Sequence, residues 1–237
     1  MSGLGSKLIL CNLVILAATS LCGGTGTAEG ANSVQYEQQI ELNGEFFFAK
    51  VRHIDYKRTL ESQDDAKYVQ PLRDVLVELH PLSSPAVSKV VWWRTSPVQL
   101  EGVVTGKPIY ALAVFSIEDT DFLLLVVANS YYRGARVTVI DTHQEISDPP
   151  SASVAESSSA ITSGGSQAPS AVVTRSLDPE PHDMYGTKEL NVDVEGNRIV
   201  ILSIDASGKK HESKIEFHES DRLSLTTRAR LRRGHRE

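Results

Sequence analysis

Cysteine is nearly absent: the 237 residues hold two, Cys11 and Cys22, both near the N-terminus, so a disulfide framework is excluded as the organiser of the fold. Aromatic residues are scarce at 6%, and no N-x-[ST] sequon occurs. Catalytic signatures are missing as well. There is no G-x-S-x-G elbow, no S-x-x-K with its partner motifs, no H-E-x-x-H, no P-loop and no strand–GxGxxG–helix fingerprint. Paired carboxylates for glycoside hydrolysis leave no spacing signature, because their separation is a matter of geometry. A secreted enzyme, metal-dependent or carbohydrate-active, therefore stays as the alternative to a binding module.

What the N-terminus does contain is ordered. Lys7 supplies a positive charge, Leu8–Leu21 is an apolar run of 14 residues, and small residues follow. That order is the architecture of a secretory signal peptide, and the run falls short of the ~20 residues that span a bilayer. Two cut sites satisfy the small-x-small rule, after Ser20 and after Ala28. The second is preferred, because the glycine-rich stretch before it suits an extended peptide in a peptidase groove. Residues 1–28 then leave, both cysteines leave with them, and Glu29 is the first mature residue. A lipidated Cys22 is disfavoured, since Leu21 and Thr19 stand where lipoprotein signals want a small residue and a leucine. The expected localisation is secreted, periplasmic or cell-envelope, with no transmembrane helix after cleavage.

The rest reads as dense β pattern. In "QYEQQIELNGEFFFAKVRHIDY" apolar residues alternate around Asn43-Gly44, which predicts a hairpin over 34–55. Ser62 with Asp65 suggests a short helical turn that Pro71 would end. Strand-like runs follow at 73–80, 88–95, 98–104, 108–118, 121–129 and 135–143. "VVWW" and "FLLLVV" are continuous, as in strands covered on both faces. Residues 147–181 hold ten Ser and five Pro without one aromatic residue, too little apolar surface to offset ordering entropy. A three-stranded meander is predicted after them, expected to pack on the earlier strands. The expected organisation is thus a signal peptide (1–28), a main β domain (29–146), a disordered Ser/Pro-rich insertion (147–185), the meander (186–221) and a basic tail (222–237). The fold class is all-β, an antiparallel sandwich or barrel-like domain.

Charge is distributed unevenly. The last 16 residues carry six Arg and one Glu, which leaves −12 for residues 8–221. The tail is expected to be a solvated end, or to contact anionic surfaces or the chain's own acidic body; nucleic acid is not an expected partner.

Two constellations stand out as candidate sites. Adjacent Trp92 and Trp93 point to opposite faces of a strand, so one is expected outside. Trp93 with Arg94 and the loop residues Tyr131, Tyr132 and Arg133 would form a stacking platform for an envelope or extracellular protein or polysaccharide. His53 and Asp55 share a strand face, and with His143 they match the residue types of a two-His, one-carboxylate metal site. With seven His in the chain, a His-x-Asp pair arises readily by chance, so no cofactor is implied. Asp119 and Asp121 in "IEDTD" read as a hairpin turn rather than a calcium loop. These features point to an exported, cell-envelope or extracellular β-rich binding or structural module.

Overall fold

The structure, a computed structural model, describes residues 32–61, 67–98, 107–129, 135–149, 151, 170–177, 186–195 and 198–233. Three antiparallel sheets and a helix account for most of them. The first sheet is a four-stranded meander of β1 (Asn32–Leu42), β2 (Glu45–Glu61), β3 (Lys67–Pro81) and β4 (Lys89–Pro97), paired in chain order. The second comprises β5 (Pro108–Ile117), β6 (Thr120–Asn129), β7 (Ala135–Ile140) and β8 (Ala171–Leu177), again in order. The third places β10 (Arg198–Asp205) between β9 (Thr187–Glu195) and β11 (Lys210–Glu216). Helix α1 (Glu219–Arg233) follows.

The hairpin at Asn43-Gly44 forms as expected, with φ of 51° and 81° at the two turn residues. A Cβ built on Gly44 meets nothing within 4 Å, so only backbone strain opposes substitution. Gly44→Ala should therefore cost about 1 kcal/mol, the penalty of a left-handed L-residue. Urea denaturation measures it, and an unchanged midpoint would contradict the turn geometry. The β5–β6 turn repeats this geometry without glycine, at Glu118 (φ 47°) and Asp119 (φ 60°). The two turns are tied together. The Asn43 N–H donates to Asp121 Oδ2 at 2.5 Å, and the Ser116 hydroxyl donates to Asp121 Oδ1 at 2.6 Å. Asp121 is thus an acceptor joining two sheets.

The second sheet is the middle layer. Side chains alternate along "FLLLVV", so Leu123 and Leu125 join Val51, Val77, Trp92 and Tyr110 in one core. Phe122, Leu124 and Val126 join Ile199, Ile201, Phe217 and Leu225 in the other. A strand buried on both faces reads as a continuous apolar run, which is why alternation is absent from the sequence there.

Several boundaries differ from expectation. Residues 171–177 of the supposed disordered insertion form β8, because Ala171, Val172, Val173 and Thr174 give a short β-branched run that pairs with β7. Residues 146–149 and 151 also belong to the folded body: Ile146 packs on the first core, and the Ser151 N–H donates to Asp74 Oδ2 at 2.8 Å. Residues 152–169 and 178–185 of that insertion lie outside the described residues, as do Gln99–Val104 of the expected 98–104 strand. Residues 62–66, where the short helical turn is expected, lie outside the described residues; Pro71 lies inside β3 opposite Lys57, one residue past the last β4 pairing at Leu72↔Pro97. There the middle strand becomes an edge, where proline is tolerated.

Of the two expectations for the basic tail, the structure has contact with the chain's own acidic groups in place of a solvated end. Residues 219–233 are helical, with acidic Glu219 and Asp221 in the first turn and arginines in the last, the arrangement that complements a helix dipole. The Asp221 carboxylate accepts the His218 N–H at 3.2 Å, half of a capping box, and also receives Arg175 Nε at 3.1 Å. Leu225 and Ala229, one turn apart, are fully buried. Residues 222–232 of the tail fold back on the chain's own body.

Candidate functional site

The aromatic platform does not assemble on Trp93. Both tryptophans are buried, at 3% and 7% exposure, and both belong to the first core. The chain leaving β7 supplies the cover: the Trp93 indole N–H donates to the Ser147 carbonyl at 2.8 Å. A bulge in β4 at Val91, where the register slips between Val77 and Glu78, increases the local twist beside these rings. Arg94 is half-buried on β4, and Tyr131, Tyr132 and Arg133 lie outside the described residues.

The metal-type trio is also separated. His53 is buried, and its Nε2 lies 2.6 Å from the Tyr110 hydroxyl. Asp55 takes a two-pronged bond from Arg73, at 2.5 and 2.8 Å. His143 is elsewhere: β7 stops at Ile140, short of the expected 135–143 run, so His143 sits in the turn that follows. Among the described residues, no three His, Cys, Asp or Glu side chains gather as a metal-ligating group.

His53 nevertheless carries a measurable consequence. Burial pushes its pKa down to about 4, Arg73 adds to the effect, and Asp55 opposes it. The unfolded chain binds this proton near pH 6.5, so between pH 6.5 and 4 the unfolded state holds more protons than the native one. Stability contributed by neutral His53 is complete above pH 6.5 and falls on acidification through that window, by ~3 kcal/mol. Chemical denaturation at pH 7 and pH 4.5 reads the slope. His53→Gln should flatten it, and an equal slope in that variant would assign the acid sensitivity to other groups.

The residues that do converge come from the 141–145 turn and α1. Asp141, whose side chain is 8% exposed, accepts from Arg232 Nη2 and from the His143 N–H at 3.0 Å, with Arg228 Nη1 at 3.5 Å. Arg228 Nη1 also donates to Gln144 Oε1 at 2.9 Å. The Arg232 guanidinium stacks over the Phe122 ring, 5.0 Å from its centroid, which adds a cation–π attraction. Lys89 Nζ donates to the Thr142 carbonyl at 2.9 Å and pins the turn to the start of β4. Between turn and helix lies an open cleft of about 620 Å³. Its size falls within the ~300–1,000 Å³ of small-molecule pockets.

No protein-family model, curated protein or solved structure matches this chain. What the cleft can hold follows from its own chemistry. Two guanidiniums and one carboxylate leave a single positive charge. Hydroxyls of Ser224 and Thr227 and the Gln144 amide supply further polar groups. Leu223 and Leu231 stand at its mouth, 61% and 64% exposed.

None of these cleft residues except His143 stands out in the sequence. Asp141 ends an ordinary strand, and Arg228 and Arg232 read as part of a solvated charge run. The available signal was the pair Leu225 and Ala229 at i, i+4, behind an acidic first turn.

Proposed function

We propose that this protein is an exported β-rich binding module of the cell envelope or extracellular space, its first two sheets stacked as a sandwich, which holds its ligand in the cleft between α1 and the 141–145 turn. The observation that carries the binding half is the grouping of Arg228, Gln144, His143 and two exposed leucines around one open cleft. Such clefts, mainly apolar with a few convergent polar groups, are the usual form of ligand sites. Export rests on Lys7, the Leu8–Leu21 run and the small residues before Glu29. With Trp93 in the core, the ligand-facing role passes from the aromatic strand to the cleft.

Fractionation of the native host, followed by mass spectrometry of the protein, tests the export half. The expected product begins at Glu29 and is found outside the cytoplasm. A cytoplasmic product retaining Met1 would overturn export, and a lipid on Cys22 would overturn the freely released form.

A further inference from the structure

The most buried group lining the cleft is the Asp141 carboxylate, and its exposed lining includes Leu223 and Leu231 beside His143, Ser224 and Thr227. Arg228 is 35% exposed, and its ion pair and hydrogen bond within the protein run through Nη1 alone. Its Nε and Nη2 donate no hydrogen bond to the described residues, in a side chain that Asp141 and Gln144 already hold in place. Leu223, Thr227 and Leu231 are spaced four residues apart, so they form one stripe along α1, with the leucines about 12 Å apart. The helix buries Leu225 and Ala229 on another face, so these leucines take no part in docking it.

We propose that the cleft binds a small amphiphilic carboxylate: an organic acid whose carboxylate bonds Arg228 and whose hydrocarbon chain lies along Leu223 and Leu231. This rests on the reading of the cleft as the ligand site. A guanidinium fork matches a carboxylate in geometry and charge. The charge balance selects a monoanion, because Asp141 cancels one of the two arginines and would repel a second negative charge on a phosphate dianion. The leucine stripe selects an apolar body, since covering exposed leucines removes apolar surface from water. The cleft's volume of about 620 Å³ is that of a site for a discrete small molecule.

Calorimetric titration of the full chain tests this with four probes: octanoate below its micelle concentration, 1-octanol, acetate and inorganic phosphate. Octanoate should bind, and the other three should bind at least about tenfold more weakly. Arg228→Gln should weaken octanoate by about tenfold or more, and so should the Leu223→Ser, Leu231→Ser pair. Circular dichroism checks that each variant is folded. Arg230→Gln, whose parent side chain pairs with Glu118 at 3.0 Å away from the cleft, should bind octanoate like the parent. Octanol or phosphate binding as tightly as octanoate overturns the proposal, as does octanoate binding that ignores Arg228→Gln. 1-Octanol that binds instead, and is lost in the Leu223→Ser, Leu231→Ser pair, rejects the carboxylate and keeps the cleft as a ligand site. Silence from every probe rejects both.

Discussion

Asp141→Ala should be among the most damaging single substitutions in this protein, costing ~3–5 kcal/mol. The side chain is nearly buried and answers two guanidiniums and a backbone N–H, so its loss strands positive charge in a water-poor site. Arg232 has little room to escape: its side chain is 16% exposed and lies over the Phe122 ring. Removing one member of a buried pair costs more than the pair contributes, because the remaining charge is desolvated without compensation. For a chain of this size the melting temperature should fall by roughly 10 °C. Asp141→Asn, which still accepts the His143 N–H, should lose nearly as much. A loss below about 1 kcal/mol for Asp141→Ala would show that water, not Asp141, holds the two arginines.

Leu225→Ala should cost about 2–5 kcal/mol. Leu225 is fully buried and inserts into the core formed by Phe122, Leu124, Ile199 and Phe217, so truncation removes transfer energy and leaves a cavity. The effect has a second reading beyond the denaturation midpoint. Arg228, Arg230 and Arg232 all lie in α1, and a docked helix shields them from trypsin. The variant should be nicked there well before the parent chain. Equal digestion of both proteins, with equal stability, would return this segment to the status of a solvated tail.

These two residues also mark where sequence reading ran short. The Asn43-Gly44 hairpin was legible because its cause is local: two adjacent residues must take positive φ, and those residue types do so readily. The buried middle strand was legible because "FLLLVV" needs cover on both faces. By contrast, β8 was hidden by its surroundings. "AVVT" is a good strand sequence, but Ser and Pro over a long window averaged it away. Helix α1 was hidden by its charge. Its arginines face carboxylates that lie close in space and far in sequence, 91 residues for Arg232 and Asp141 and 112 for Arg230 and Glu118. The fate of Trp93 depended on Ser147, 54 residues away, and nothing on β4 announces that cover. Local causes were readable; pairings made across the chain were not.

The late position of α1 has a consequence in time. The second core draws on Phe122 and Leu124 early in the chain, on Ile199 and Ile215 later, and on Leu225 last. Asp141 emerges long before the arginines that neutralise it. In any process that delivers this chain N-terminus first, whether synthesis or passage through a narrow pore, the middle sheet waits with one face unclosed. Loops between distant contacts are slow to form, and an incomplete core remains easy to unravel. Until Leu225 docks, the second core lacks one of its fully buried side chains, and the face of the middle sheet it covers stays partly open.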